Sequence, residues 1–178
     1  RALARQIGGA LDSTTDLLTT LLDMSRLEAG GLVPEPRAFP LAEVLDPLVA
    51  QFDVLARERG LRLRFVATRA WVHSDPQLLR RVLQNFLANA LRYTQHGSVL
   101  LGVRRKGEHL RIDVIDTGPG IKADQREAIF EEFRRGEGVP GQGLGLGLAI
   151  ADRIAGLLHS RIGLHSTPGH GSVLSIDV

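Results

Sequence analysis

The chain has 178 residues, enough for one ordinary domain with a hydrophobic core and a modest additional segment. Hydrophobic residues make up 43% of the chain and charged residues 24%, a composition typical of a soluble globular protein. The formal net charge of +2 is too balanced to indicate nucleic acid or a membrane surface as the main partner, and the absence of cysteine excludes disulfides and thiolate metal sites.

The first 29 residues show the spacing of one long helix that pairs with other helices. Intervals of four and three residues define a helix-pairing seam, made of Ile7, Leu11, Thr14, Leu18, Leu21 and Ser25. A single helix cannot bury this stripe, so we expect multimerisation. Gly30 and Gly31 end the helix, which predicts one domain over residues 1–31 and a second over residues 32–178. The chain begins with Arg1 instead of Met, which indicates a fragment.

Residues 32–178 alternate between helical and strand periods, an order that predicts an α+β sandwich with one mixed sheet covered by helices. Pro34 and Pro36 lie in a segment interpreted as a short linker. Helices are predicted over residues 41–59, 75–93 and 145–158, with a short helix that ends at Phe133. Strands are predicted over residues 61–65, 99–103 and 110–114, with two more at the end of the chain. The hairpin in this series is expected to bring Asp116 to the sheet edge.

Three polar side chains share one face of the predicted helix over residues 75–93. Asn85, Asn89 and Arg92 follow one another at intervals of four and three residues. Asparagine is unfavourable inside a helix, so a repeated asparagine suggests a function that offsets this cost. Amide oxygens can coordinate a hard cation such as Mg²⁺ beside phosphate oxygens, while Arg92 attracts the phosphates. The alternative is a solvated polar stripe.

A second polar feature follows the predicted strand over residues 110–114. Asp116 leaves this strand, and Gly118 and Gly120 come next. The carboxylate can accept a hydrogen bond from an exocyclic amine such as that of adenine, and the glycines let a planar ligand approach the backbone. Taken alone, an ordinary Asp-Gly turn is the commoner explanation.

The third feature is a run of alternating glycine and leucine that leads into the helix over residues 145–158. Gly143, Gly145 and Gly147 are separated by leucines. Backbone N–H groups at a helix N-terminus form an anion site, so we favour phosphate binding here over a flexible linker. The preceding residues 135–142 have the composition of a mobile lid.

In their order and spacing, these features resemble the ATP-binding catalytic domain of sensor histidine kinases, within the superfamily that includes the Hsp90, gyrase and MutL ATPases. The resemblance covers nearly the whole chain and rests on five segments, at residues 85–94, 116–120, 130–133, 143–148 and 169–172. It implies a two-layer α/β sandwich with ATP between the helices and a lid loop. It also implies that residues 1–31 are the second helix of a dimerisation and phosphoacceptor hairpin.

The resemblance implies ATP and Mg²⁺ as cofactors and assigns roles to individual residues. Asn89, with Asn85 nearby, would hold the metal, Asp116 would receive the adenine amine, and Tyr93 would pack beside the base. Asn85 and Arg92 are the candidate catalytic residues. The candidate nucleotide-binding residues are Asn85, Asn89, Arg92, Tyr93, Asp116, Gly118, Gly120, Gly143, Gly145, Leu146, Gly147, Leu148 and Ser172. Leu144 departs from the family pattern, which commonly has a hydroxyl residue at that position.

The implied activity is transfer of the γ-phosphoryl of ATP to a histidine. None of the six histidines of the chain is placed as a phosphoacceptor, so this histidine is expected upstream of Arg1. The implied partners are a second copy of the chain and a receiver domain of a response regulator, in cis in a hybrid kinase or in trans. We expect a cytoplasmic location, or the cytoplasmic side of a membrane, with no direct membrane or nucleic-acid contact by these residues.

Two other functions are weighed against the kinase. The first is an ATP hydrolase of the same superfamily, whose members resemble one another in having a glutamate four residues before the metal-binding asparagine. That position is Asn85 here, and an amide cannot serve as a general base. The second is a degenerate domain that serves only as a dimeric scaffold, which the presence of Asn89, Asp116, Gly145 and Gly147 disfavours.

Overall fold

A computed structural model describes residues 29–131 and 145–178, together with Leu22 and Ser25. The predicted N-terminal helix lies almost wholly outside the described residues. So do Phe133, the predicted lid over residues 135–142, and Gly143.

The described residues form ten regular elements and two short 3-10 turns. Helices α1 (Ala42–Glu58), α2 (Pro76–Tyr93) and α3 (Gly147–Leu157) lie within about three residues of their predicted bounds. The 3-10 turns are Ala123–Gln125 and Ala128–Phe130. The strands are β1 (Arg37–Pro40), β2 (Arg62–Phe65), β3 (Trp71–Ser74), β4 (Ser98–Lys106), β5 (His109–Asp116), β6 (Ile162–Thr167) and β7 (Gly171–Asp177).

Five strands form one mixed sheet in the order β2-β4-β5-β7-β6. β2 runs parallel to β4, and the other three pairs of neighbours are antiparallel. Side chains alternate between the two faces of a strand, and the register places Val99, Ile112 and Ile176 on the face that the helices cover. The mixed sheet covered by helices was predicted and is confirmed.

A second, two-stranded sheet was not predicted. β1 pairs antiparallel with β3, from Arg37 opposite Ser74 to Pro40 opposite Trp71. The residues that follow the linker prolines therefore form a strand. Each of these strands has only four residues, and the prolines around and within β1 resemble a linker because proline cannot donate to a ladder.

The long helix α2 positions one half of the candidate site. Its inward residues Val82 and Phe86 are fully buried, and Ala90 is 4% exposed. Asp75 caps its N-terminus, because one carboxylate oxygen accepts from the N–H groups of Gln77 and Leu78 at 2.9 and 3.0 Å. At the other end, Arg59 donates to the carbonyl of Leu91 at 3.0 Å. Both ends of α2 are thereby fixed.

The opposite face of the five-stranded sheet carries Leu100, Ile115 and Val173, which lie outside the hydrophobic core. The described part of the chain therefore consists of one layer of sheet and one layer of helices. No helix in this part is long and apolar enough to cross a membrane.

Candidate functional site

The candidate site is built around Asp116, the last residue of β5. This strand is the middle strand of the five, so Asp116 lies opposite Val99 of β4 on one side and Ser172 of β7 on the other. Asp116 therefore lies at the edge of the sheet where this central strand ends. Groups on both neighbouring strands can therefore shape its surroundings.

The two oxygens of the Asp116 carboxylate have different environments. Oδ1 accepts from the N–H of Gly118 at 2.8 Å and from the N–H of Ser172 at 3.3 Å. Oδ2 accepts no hydrogen bond from the described residues. Burial raises the pKa of Asp116 above its ordinary value, and the two backbone hydrogen bonds partly oppose that shift. One oxygen thus holds the loop while the other remains a free acceptor.

The glycines after Asp116 allow the loop to pack closely against neighbouring parts of the chain. A Cβ on Gly118 would lie 2.9 Å from Asp116 Oδ1 and 3.3 Å from the carbonyl oxygen of Tyr93. Gly120 has a φ of +71°, and a Cβ there would collide with the carbonyl oxygen of Thr167. Protein atoms fill the space beside both glycines, so these residues shape the loop and join it to α2 and the β6–β7 turn.

The predicted polar face of α2 points toward this region. Asn85, Asn89 and Tyr93 are half-buried, whereas Arg92 is exposed. The Nδ2 group of Asn85 donates to the carbonyl of Arg81 at 3.0 Å, which leaves Oδ1 directed away from the helix backbone. The Asn89 amide makes no hydrogen bond to a described residue. Both amide oxygens are therefore available to a ligand.

The start of α3 lies directly against this face of α2. A Cβ on Gly147 would lie 2.8 Å from Oδ1 of Asn85, so only glycine leaves the amide oxygen in its place. Gly145 has a φ of +71°, a backbone conformation that favours glycine. No side chain caps the N-terminus of α3 in the described part of the chain, which leaves its first N–H groups for an anion.

The two described leucines of this segment, Leu146 and Leu148, belong to or pack against the core. Leu146 is 1% exposed and Leu148 packs against the core from a half-buried position. The side chain of Leu146 is therefore inside the protein, and any contact of this residue with a nucleotide has to come from its backbone. The leucine side chains thus anchor the segment in the protein, and the glycines between them leave its backbone N–H groups accessible.

The structure brings several of the predicted site residues together. Contacts connect Asn85 with Gly147, and connect Asp116 with Gly118 and Ser172. Arg92 contacts none of these groups, and Gly143 lies outside the described residues. Within the described residues there is no group of three or more histidine and acidic side chains placed to hold a metal. Amide and phosphate oxygens remain the candidate metal ligands.

Two neighbouring side chains were not predicted. Thr94 is 3% exposed, and its hydroxyl has no hydrogen-bond partner among the described residues. Ser166 is 1% exposed and bonds to both the loop after Asp116 and the start of β7. A signal for Ser166 exists in the sequence, because the inward-facing positions of β6 would otherwise be apolar.

Comparison with protein families agrees with this geometry. The model of the histidine kinase-, DNA gyrase B- and HSP90-like ATPases matches residues 74–178, which include α2, Asp116, Gly147 and Ser172. The chain belongs to this ATPase family.

Individual relatives narrow the resemblance to sensor histidine kinases, as predicted. The sensor histidine kinase RcsC of Escherichia coli strain K12 is 35% identical over 168 residues, which cover 91% of this chain and 18% of RcsC. The chain thus spans about a fifth of the length of the curated relatives that it matches.

Solved structures confirm the predicted α+β fold, a mixed sheet covered by helices. Full-length ShkA, solved in complex with AMPPNP, matches 98% of this chain with a TM-score of 0.80 and 28% identity, over 38% of the ShkA chain. The histidine kinase AdeS of Acinetobacter baumannii matches the whole chain and 84% of its own chain, with a TM-score of 0.82 and 21% identity. At that identity, the match to AdeS is evidence for the fold alone.

Proposed function

We propose that this chain binds Mg·ATP and, in the whole protein, donates the γ-phosphoryl to a histidine outside residues 1–178. The half-buried Asp116 carboxylate, with its free oxygen at the end of the central strand, is the observation that carries the proposal. The match to ShkA, which was solved with an ATP analogue, supports it. The chain would be the ATP-binding kinase module of a two-component system.

Asp116 would recognise the base. Its Oδ2 is a strong acceptor that no described residue occupies, and the exocyclic amine of adenine is a donor. Tyr93 belongs to the last turn of α2, whose backbone contacts Gly118, so its ring would pack beside the base. This arrangement would place adenine between the end of α2 and the end of β5.

The phosphates would lie between α2 and α3. The oxygens of Asn85 and Asn89 suit Mg²⁺, which prefers hard oxygen ligands and binds in company with phosphate. Bound Mg²⁺ would neutralise charge on the phosphates. The open N–H groups at the start of α3 would hold phosphate oxygens, and Arg92 would add positive charge from the helix surface.

Transfer is favoured over hydrolysis because of the group at position 85. The side chain that lies against Gly147 is an amide whose nitrogen is already bound to the carbonyl of Arg81. An amide cannot remove a proton from water, so a hydrolytic water lacks a base at this position. The chain would instead position ATP for attack by an incoming imidazole nitrogen.

The proposal also covers residues 1–31, the dimer and the receiver domain. We infer that residues 1–31 form the second helix of a dimerisation hairpin, and that residues 32–178 form the catalytic domain. The whole protein would act as a homodimer and pass its phosphoryl group to a receiver domain.

The reaction is tested with the whole protein and ATP labelled at the γ-phosphate. We expect label on the protein that is lost in acid and retained in base, as for phosphohistidine. Asn89→Ala is expected to abolish the label, whereas Gln77→Ala, which removes an exposed amide from the same helix, is expected to retain it. Release of free phosphate with no labelled protein would favour the hydrolase, and neither product would favour the scaffold.

A further inference from the structure

A buried pair of serine hydroxyls lies directly behind the candidate base site. Ser166 of β6 is 1% exposed and Ser172 of β7 is 8% exposed, and their Oγ atoms are 2.9 Å apart. The two residues are direct partners in the antiparallel ladder between β6 and β7. Ser172 also lies opposite Asp116 and donates its backbone N–H to Asp116 Oδ1.

The Ser166 hydroxyl has three hydrogen-bond neighbours among the described residues and only one proton to donate. Its Oγ accepts from the N–H of Ile121 at 2.8 Å. The carbonyl oxygen of Gly171, at 3.0 Å, can only accept, so it requires the proton of Ser166. The remaining contact, with Ser172, then has to be a donation from Ser172 to Ser166.

This arrangement is the one that satisfies every donor in the cluster. If Ser166 donated to Ser172 instead, its bond to Gly171 would be lost and the proton of Ser172 would have no acceptor among the described residues. A buried hydroxyl without a partner costs free energy, so the first arrangement is strongly favoured. The Ser172 oxygen is then left with lone pairs and no proton for a ligand.

We propose that Ser166 is a specificity-determining positioning residue for the nucleobase, because it fixes the Ser172 hydroxyl as an acceptor beside the Asp116 carboxylate. Two adjacent acceptors favour a base edge with an amino group, as in adenine, over one with a keto oxygen, as in hypoxanthine. The inference rests on the proposed function. It adds that a residue without access to the ligand sets part of the base preference.

A second set of contacts makes Ser166 well placed for this role. Its carbonyl oxygen accepts from the guanidinium of Arg126 at 2.6 Å, and Gly169 N–H donates to the carbonyl of Pro119 at 2.7 Å. The loop that follows Asp116 is thus held against the β6–β7 turn. The Ser166 hydroxyl therefore lies in a fixed frame and cannot easily change its partners.

The test compares ATP with inosine triphosphate, which carries a keto oxygen in place of the adenine amine. In the whole protein, Ser166→Ala frees the Ser172 proton to donate to that oxygen. We expect the ratio of KM values for the two nucleotides to move toward unity by about tenfold, the effect of one hydrogen bond. The maximal rate with ATP should change much less.

Ser175→Ala is the matched control. Ser175 is a 5% exposed serine of β7 on the opposite face of the sheet, and among the described residues its hydroxyl bonds only to the carbonyl of Gly163. Both substitutions remove a buried serine hydroxyl, but Ser166→Ala breaks three hydrogen bonds and Ser175→Ala one, so Ser166→Ala should lower Tm more. Ser175→Ala should leave the KM ratio unchanged. A merely structural role of Ser166 predicts a lower Tm with an unchanged KM ratio, and that result would overturn the inference.

A second variant keeps the inference testable if Ser166→Ala fails to fold. Ser172→Ala removes the acceptor itself and should reduce the discrimination to a similar extent, and full discrimination in that variant would refute the inference. Failure of the proposed function has a different signature, because ATP affinity would then survive Asp116→Asn.

Discussion

At the residue scale, the carboxylate of Asp116 has two tasks: one oxygen fixes the side chain, and the other is available to a ligand. Oδ1 is committed to the N–H groups of Gly118 and Ser172, which fixes the orientation of the side chain. Oδ2 is held ready as an acceptor without any reorganisation when a ligand arrives. Burial raises the pKa of this group, so the folded protein is less stable with Asp116 ionised than it would be around a neutral side chain.

Asp116→Asn tests this division of tasks. The asparagine Oδ1 can keep both backbone hydrogen bonds, whereas its Nδ2 presents a donor to the adenine amine. Loss of a hydrogen bond to a charged group is worth about 1.5–3 kcal/mol, so we expect ATP to bind roughly tenfold to more than a hundredfold more weakly. The free energy of unfolding at neutral pH should be unchanged or higher. Titration calorimetry and thermal unfolding measure the two effects.

Asp124→Asn, at an exposed position of the following turn, is the control and should bind ATP normally. Weaker ATP binding that simply follows lower stability would contradict a role of Asp116 in recognition.

The pH dependence of binding follows from the same residue. The proposed acceptor is the ionised carboxylate, and its pKa in the unbound protein is raised. ATP affinity should therefore fall as the pH is lowered toward that raised pKa, over a range in which an unshifted aspartate would remain ionised. Affinity measured against pH for the native protein and for Asp116→Asn checks this expectation. A parallel pH dependence in the two proteins would refute it.

At the element scale, the contact between α2 and α3 is the second half of the site. The Asn85 amide occupies the space that a Cβ on Gly147 would need, whereas a Cβ on Gly156 of the same helix would meet open space. We expect Gly147→Ala to displace the Asn85 amide and to weaken Mg·ATP binding by about tenfold or more, since it disturbs one proposed metal ligand. The affinity for Mg·ATP is the measurement.

Gly156→Ala is the matched control for this substitution. It should stabilise α3 by about 0.5–1 kcal/mol through helix propensity and leave nucleotide affinity unchanged. Equal nucleotide affinity in the two variants would show that the Asn85–Gly147 contact has no part in binding.

The sheet contains an ion cluster away from the site. Asp177 of β7 accepts from the guanidinium of Arg111 at 2.6 and 3.0 Å and from Lys106 at 3.1 Å. The Arg111 side chain, chiefly, lowers the pKa of Asp177 from 3.8 to about 2. A lowered pKa stabilises the fold above the unfolded-state pKa, and this contribution is lost as the pH falls through about 2.

Asp177→Asn should therefore lower the free energy of unfolding at neutral pH by about 1 kcal/mol, a value discounted for the exposure of this group. The difference should disappear between pH 4 and pH 2, as protonation of the native carboxylate removes its advantage. Denaturant unfolding at several pH values measures it. Glu108→Gln, in the exposed turn of the β4–β5 hairpin, should show no such difference.

Local signals explain which elements the sequence predicts. Asp75 and Pro76 specify the start of α2, and alternating apolar residues around the turn at Gly107 specify the β4–β5 hairpin. β1 and β3 carry no such signal, because each has only four residues and their pairing joins segments far apart in the chain.

The contacts within the site are harder to predict from sequence. Asp116 meets Ser172 across 56 positions, and Asn85 meets Gly147 only when α2 and α3 pack together. These residues are predicted from the family resemblance, but their contacts arise only from tertiary packing. Leu146 shows the difference, because its place in the motif implies contact with the nucleotide while its side chain fills the core.

At the scale of the whole molecule, one layer of helices packs on one mixed sheet. This packing brings α2, the end of β5 and the start of α3 together at the proposed nucleotide site. Membership of the ATPase family and the likeness to sensor histidine kinases agree with that arrangement. The remaining face of the sheet lies outside the core and is not needed for the proposed site.

Calorimetric titration of ATP with and without Mg²⁺ tests the central claim most directly. We predict that Mg²⁺ strengthens ATP binding to the native protein and to Gln77→Ala, and that Asn89→Ala loses this enhancement while Asp116→Asn loses most affinity with or without the metal. Mg·ATP binding of native strength in both Asn89→Ala and Asp116→Asn would contradict the account.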